Sequence, residues 1–466
     1  MKLGRPSFLF LIIMEKIKRK FNEESVWRQF FKLSIPIAIA NFLQSAYSIT
    51  DAFWLGRLNS ESLASISICS SIIFLIISLG AGLFISGTVL ISHHKGREDH
   101  EKINHISAQL IILMIIVSLL LSVLGYLIAP FLIKMIGAEY LIPFGVLSYL
   151  QLFFMSTLFI FAFALYQALM RAMGDVKTPV YIILATVILN FVIDPIFIFG
   201  FGFFPKLGTE GAALSTLLSE VINTLVAGYL IWKGKTGITF KKENFRFDSK
   251  IMKKILKVGI PSSMEQFSRS LGFVFIAFMV ARLGTTSIAA YGVGGEILGL
   301  ILVISMSFMM ATSVMVGRSV GAGNLERAEL ITKSVSKMSF LVLTFLGALS
   351  FFFAEQVSRL FVPNDMAVIL ESVQYLHIMS LFFGFLAVQQ IFNGTFTGAG
   401  DTRISMFLSI ISLWVLRIPI AYILSSTPLG FAGICWSFPV ANTVAAIIGY
   451  MVFVSGKWKR KELSIN

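Results

Sequence analysis

The stretch LIILMIIVSLLLSVLGYLIA, residues 110–129, runs for twenty residues without a charged side chain. As a helix rising 1.5 Å per residue it would span about 30 Å, the thickness of a bilayer's hydrocarbon core. A helix apolar on all sides belongs either at the centre of a large soluble protein or in lipid. Repetition decides between the two. Twelve such segments can be drawn, at 34–56, 62–92, 104–129, 141–170, 179–201, 211–232, 259–282, 287–316, 331–353, 371–396, 405–425 and 431–455. Only 13% of residues are charged, about half the share of a soluble domain. A transmembrane barrel would need short alternating strands instead of continuous apolar runs. The expectation is an all-α polytopic membrane protein with twelve transmembrane helices.

The net charge of +14 could suggest nucleic acid, but its distribution points elsewhere. With the N-terminus placed inside, 31 of the 38 Lys and Arg residues fall on the inner side. Five fall outside (Arg57, Lys134, Lys206, Arg282 and Arg359), and Arg269 and Arg417 lie within helices. This positive-inside bias predicts a multi-pass protein of the inner (plasma) membrane with both termini cytoplasmic. No nucleic-acid module is visible. The opening MKLGRPSFLFLIIM lacks a small-residue cleavage site, so a signal peptide is not expected; a start at Met1 or at Met14 is equally compatible. Cys69 and Cys435 both lie in apolar helices, which gives neither a disulfide framework nor metal-ligand spacing.

The chain is written twice. KGKTGITFKKENFRFDSKIMKKILK (233–257) is the only long polar linker, with six predicted helices on each side. At an offset of 225 residues, LSIP (33–36) meets VGIP (258–261), GRL (56–58) meets ARL (281–283), and GREDHEK (96–102) meets GAGNLER (321–327). At 226, Gly174-Asp175 meets Gly400-Asp401. An even number of helices per half gives both halves the same orientation, related by a pseudo-two-fold axis along the membrane normal. The predicted division is a cytoplasmic segment 1–32, a first lobe 33–232, the linker 233–257, a second lobe 258–455 and a tail 456–466. No phosphate-binding loop is present, so coupling to ATP in this chain is not expected.

The pieces IPIAIANFLQSAYSITDAFWLGRL, QALMRAMGDVKTP, NFVIDPIF, GTEGAALST, GIPSSMEQ and TFTGAGDTR, in this order within a duplicated frame, resemble the multidrug and toxic compound extrusion (MATE) transporters, prokaryotic type. The resemblance covers nearly the whole chain. It implies a V-shaped pair of six-helix lobes and alternating access. It also implies antiport driven by H⁺ or Na⁺ that exports hydrophobic or cationic organic compounds, with no further cofactor and the protein working as a monomer.

Five acids fall inside the predicted helices: Asp51, Asp194, Glu220, Glu265 and Glu296. A charged carboxylate at mid-bilayer costs about 2.5–3.5 kcal/mol on insertion scales and normally faces a cavity or a partner. Gln44, Tyr47 and Asp51 share one face of the first helix; Thr186, Asn190 and Asp194 share one face of the fifth. Asp51 lies fifteen residues beyond Pro36, and Asp194 fifteen beyond Pro179, so both reach the same depth. Close carboxylates can hold a proton between them, and the same oxygens can coordinate Na⁺. Pro195 has no N–H, which frees the carbonyl of Phe191. The family's cation site maps onto Asp51, Asn190 and Asp194, with Thr216 as a fourth member. Pro36 could kink the first helix. Glu265 could serve a cavity or gate, or pair with Arg269 four residues on. Arg417 could neutralise Glu220 or Glu296, while His377 is the only polar candidate where some relatives carry an Asp.

Two other functions compete. A flippase for lipid-linked precursors would belong to the same wider superfamily, but would favour more than twelve helices and a strongly cationic cavity. A membrane acyltransferase would use His94 and Asp99, whose spacing matches an acyltransferase His–Asp motif. The cluster His93, His94, His100 and His105 could also hold a surface metal.

Overall fold

The computed structural model describes residues 8–202 and 204–460; residues 1–7 and 461–466, the ends of the expected terminal segments, lie outside it, as does the alternative start at Met1. The first half comprises α1 (Phe8–Leu55), α2 (Ser60–Gly96), α3 (His100–Ile136), α4 (Val146–Met173), α5 (Lys177–Phe199) and α6 (Thr209–Trp232). The second comprises α7 (Ser249–Ala281), α8 (Thr285–Gly321), α9 (Leu325–Phe352), the short α10 (Ala354–Phe361), α11 (Met366–Ser380), α12 (Phe383–Gly398), α13 (Thr402–Ile410), α14 (Ile418–Ser425) and α15 (Phe431–Val454). A π-helical stretch, Ile411–Arg417, joins α13 to α14.

Ten of these spans are long and apolar enough to cross a bilayer, counting Thr402–Ser425 as one. The pair α11 and α12, bent by 51° at Leu381-Phe382, makes an eleventh. The stretch 371–396 reads as one helix in sequence; the structure breaks it. α1, diluted by Asn41, Gln44 and Asp51, completes twelve. Ile116, Leu120, Val123, Leu127 and Phe131 of α3 are all exposed. At spacings of three and four they form one apolar stripe, which water would not tolerate and lipid solvates. The chain is a multi-pass membrane protein.

The repeat reappears as capping chemistry. Asp99 accepts from Lys102 N at 3.1 Å and starts α3; its counterpart Asn324 accepts from Arg327 N at 2.9 Å and starts α9. Asp175 accepts from Lys177 N and Thr178 N at the head of α5. Asp and Asn do this because a short side-chain oxygen reaches the helix's unpaired N–H groups.

Each half has its own core, and the halves form the two lobes of a V. α2 packs against α7 and α8, and α1 packs against α5 and α8. Among the described residues, side-chain hydrogen bonds join the halves from the linker end up to the middle of α2, where Ser263 Oγ donates to Leu79 O (2.6 Å). Asn41 Nδ2 donates to Ser307 Oγ (3.0 Å), His93 Nε2 to Gly398 O (2.7 Å), Arg97 Nε to Gly321 O (3.2 Å) and Arg318 Nη2 to Ala172 O (2.8 Å). Toward the other end of α8, Gly292, Gly295 and Gly299 face open space. The lobes therefore close at the linker end and part at the other. The linker itself is pinned: Gln109 Nε2 of α3 donates to Asn244 O and Arg246 O, and Gln109 Oε1 accepts from Asp248 N.

From Ser25 onward, the stretch read as the end of a cytoplasmic segment is a continuous arm of α1 lying on the second half. Val26 and Phe30 are buried in that half's core, Phe30 meets Phe308 edge-on at 5.0 Å, and Gln29 Oε1 accepts from Arg327 Nη2 at 3.1 Å. Truncating Phe30 leaves a cavity in the joint between α1 and α8. Phe30→Ala should therefore cost about 3 kcal/mol, read as a fall of several degrees in the melting temperature of the detergent-purified protein.

Candidate cation site

α1, α4, α5 and α6 converge on a buried polar cluster within the first half. The α5–α6 turn closes tightly: Leu207 N donates to Phe197 O and Gly208 N to Ile198 O. A β-carbon on Gly211 would come within 2.5 Å of Phe197 O, so only glycine lets the start of α6 cross α5 this closely. That crossing sets Ser215 and Thr216 beside Asn190 and Asp194.

Asp51, Asp194 and Asn190 are buried. Tyr149 OH donates to Asp51 Oδ2 at 3.0 Å, and Thr216 Oγ1 lies 3.4 Å from Asp51 Oδ1. Asp194 Oδ1 accepts from Asn190 Nδ2 at 3.0 Å and, at short range, from Ser215 Oγ. Asp194 Oδ2 and Asn190 Oδ1, both buried, accept from no protein donor. Asp51 and Asp194 are neighbours in this cluster, joined through Thr216 Oγ1 and Asn190 Nδ2, which lie 3.5 Å apart. Two carboxylates have no proton to donate, so they bond to each other only when one proton is held between them. Alternatively, the free oxygens of Asp194 and Asn190, with Asp51 and Thr216, form the all-oxygen set that a hard cation takes.

A second cluster adjoins the first. Tyr47 OH donates to Thr186 Oγ1 (2.7 Å), Thr186 Oγ1 to Asn223 Oδ1 (2.8 Å), and Asn223 Nδ2 to Glu220 Oε2 (3.3 Å). Glu220 is buried, and Gln44 approaches it from an exposed position on α1. None of Asp51, Asp194 and Glu220 has an ion-pair partner among the described residues. Interhelical hydrogen bonds in membranes are worth about 0.6–2 kcal/mol and are made by neutral residues as well. Three acids without a counter-ion exceed what helix adhesion requires.

The structure thus brings Asp51, Asn190, Asp194 and Thr216 into one site, with Tyr47 and Thr186 beside it. Pro36 lies away from the site, and α1 is helical through it; α5 is likewise helical through Pro195. Glu265 is in the other half. It pairs with Arg269 at 2.9 Å and accepts from Ser405 Oγ and Ser409 Oγ. Arg417 also lies in the second half and makes no ion pair among the described residues, so it neutralises neither Glu220 nor the exposed Glu296. His377 stacks on Phe351 at 4.1 Å. The counterpart of Asp51 at the repeat offset is Ile276, buried and apolar, so the acid pair is not duplicated.

Ser215, Tyr149 and the Glu220–Asn223 pair are not apparent from sequence motifs. One signal existed: Ser215, Ser219 and Asn223 recur every four residues, a polar stripe along α6. Removing the Tyr149 hydroxyl should weaken the site without dismantling it. Tyr149→Phe is expected to slow gradient-driven efflux about tenfold, the equivalent of one hydrogen bond to a charged group at about 1.5 kcal/mol. Initial rates in proteoliposomes check this.

The His94–Asp99 pair has another explanation. His94 Nδ1 is 3.6 Å from Asp99 Oδ2, too far for a hydrogen bond. The imidazole is buried, out of reach of an acceptor, and Asp99 is engaged as a helix cap. His93 and His105 bind backbone carbonyls separately.

The MatE family profile matches residues 36–196 and 261–423, once in each half. The chain is 25% identical over 459 residues to the probable multidrug resistance protein YoeA of Bacillus subtilis (strain 168), covering 96% of this chain and 97% of that protein. It is 26% identical over 443 residues to the probable multidrug resistance protein NorM of Thermotoga maritima, covering 93% of each. A crystal structure of MATE in the bent conformation superposes with a TM-score of 0.87 at 26% identity, covering 94% of this chain and 96% of that one.

Proposed function

The chain belongs to the MatE family, and on that premise we propose that it is a cation-coupled antiporter that exports hydrophobic or cationic organic compounds by alternating access. Relatives named multidrug resistance proteins support the substrate class. The observation that carries the coupling is the buried cluster that joins Asp51 to Asp194 through Thr216 and Asn190, with Asp194 Oδ2 and Asn190 Oδ1 left without donors.

In this reading, residues 33–232 and 258–455 are the moving lobes, the linker 233–257 is cytoplasmic, and the V is open outward. An incoming H⁺ or Na⁺ neutralises the acid pair. The charge change biases the packing of α1 on α5, and α1 transmits it to the second lobe through the arm that carries Phe30. A cation can shift the equilibrium only by its difference in affinity for the two states. The acid pair supplies that difference, because its repulsion is large when the oxygens are crowded and bare.

Efflux of a fluorescent cationic dye from proteoliposomes, driven in turn by an H⁺ gradient and a Na⁺ gradient, tests the reading. Stimulation of efflux by at least one gradient is expected. Equal rates with both gradients and with none would overturn it.

A further inference from the structure

The second half holds a polar cavity that cation coupling does not use. It encloses about 60 Å³ between α7, α12, the α13–α14 span and α15, and its polar lining includes Glu265, Arg269, Gln389, Gln390, Arg417 and Asn442. Arg417 is 6% exposed, Gln389 6%, Gln390 3% and Asn442 7%. The Arg417 guanidinium lies 4.5 Å from the Phe438 ring and 5.5 Å from that of Phe273. No carboxylate pairs with it among the described residues.

Three buried N–H donors at this cavity lack acceptors: Arg417 Nε, Gln390 Nε2 and Asn442 Nδ2. One acceptor, Gln389 Oε1, lacks a donor; each of these amides presents a donor or an acceptor according to how it is turned, and an anion selects the donors. The charges do not balance. Glu265 is spent on Arg269 and two serine hydroxyls, which leaves the charge of Arg417 over. Arg417 also ends the π-helical stretch Ile411–Arg417, a rare distortion that is frequent at functional sites. Water could satisfy the donors but not the charge, and an unpaired buried guanidinium costs several kcal/mol.

We infer that this cavity binds one small anion, a halide or a carboxylate group, held by Arg417 with Gln390 and Asn442. A volume of about two waters admits such a group but no whole organic molecule. The second lobe would then carry a site opposite in charge to that of the first. The anion could be free in solution or the carboxylate end of a larger compound.

The test uses the full-length protein in detergent and methanesulfonate buffer, free of halide and carboxylate, at constant ionic strength, titrated separately with chloride and with acetate while the melting temperature is followed. A saturable rise of several degrees with either anion is expected. Chloride alone would point to a halide, acetate alone to a carboxylate-bearing ligand, and both outcomes support the site. Arg417→Gln should abolish the response. Should that variant fail to fold, Asn442→Ser, which keeps the guanidinium, should raise the half-saturating concentration at least threefold. Asp194→Asn should respond like wild type, which separates this site from cation coupling. No saturable response to either anion in wild type, or one unchanged in both Arg417→Gln and Asn442→Ser, would sink the proposal.

Discussion

Asp194→Asn should lower gradient-driven dye efflux at least a hundredfold under both H⁺ and Na⁺ gradients, while the protein still folds and binds dye. The substitution changes little in shape. An amide oxygen can still accept from Asn190 Nδ2 and Ser215 Oγ, the two bonds that hold Asp194 Oδ1. What disappears is the charge, and with it the capacity to release a proton or to ligate a cation against Asp51. Relieving the repulsion between two buried acids should leave the melting temperature equal to or above that of wild type. Asp51→Asn should behave alike, although the bond from Tyr149 OH becomes weaker once its acceptor is neutral. The informative pair of measurements is efflux rate and equilibrium dye affinity. Loss of rate with affinity held within about threefold assigns the pair to coupling. Wild-type efflux in both variants under every gradient would remove the pair from the mechanism.

How much of this site was visible in the sequence depends on which residue is asked about. Asp51 and Asp194 stand out because a carboxylate in an apolar helix is costly, and counting fifteen residues from Pro36 and Pro179 already gives them one depth. Ser215 and Tyr149 do not stand out. A serine in a membrane helix can satisfy itself on its own backbone, as Ser215 Oγ also does on Ala212 O, so only tertiary packing reveals its second bond to Asp194. The same limit hid the arm of α1. Val26 and Phe30 are embedded in basic sequence, EKIKRK preceding and Arg28 and Lys32 alternating with them, which reads as a solvated segment until α8 is placed alongside. It also hid the state of Arg417. The sequence offered Glu220 or Glu296 as its partner; the structure puts Glu220 in the other half and leaves Glu296 exposed. Helix number and the two-fold repeat were legible because each rests on long runs, where many residues repeat one message.

Gly321→Leu should lower transport about tenfold or more by a different route, through the closed end of the V. A β-carbon on Gly321 would lie 2.0 Å from His93 O, and one on Gly96 would lie 2.1 Å from Arg318 O. At the repeat offset of 225, Gly96 corresponds to Gly321 and His93 to Arg318, so the two clashes are the same contact seen from each half. The reach across the interface is duplicated as well. His93 Nε2 donates to Gly398 O and Arg318 Nη2 to Ala172 O, and positions 172 and 398 differ by the offset of 226 found for the Gly-Asp turns. The pseudo-two-fold axis therefore passes through this crossing of α2 and α8, where backbone touches backbone and no side chain can yield. A leucine there must separate the helices and break both reaching bonds. Overpacking of this kind costs about 1–3 kcal/mol, charged almost wholly to the conformation closed at this end, which would reduce its population about tenfold or more. Efflux should fall by a similar factor in Gly321→Leu and, by the symmetry, in Gly96→Leu. A cysteine placed at Ser92, buried at this crossing, should react with a maleimide much faster in either background than in the parent. Gly228→Leu, at a position with no atom within 4 Å, should leave both rates unchanged. Slow labelling together with full transport in Gly321→Leu would mean that the crossing does not form the gate.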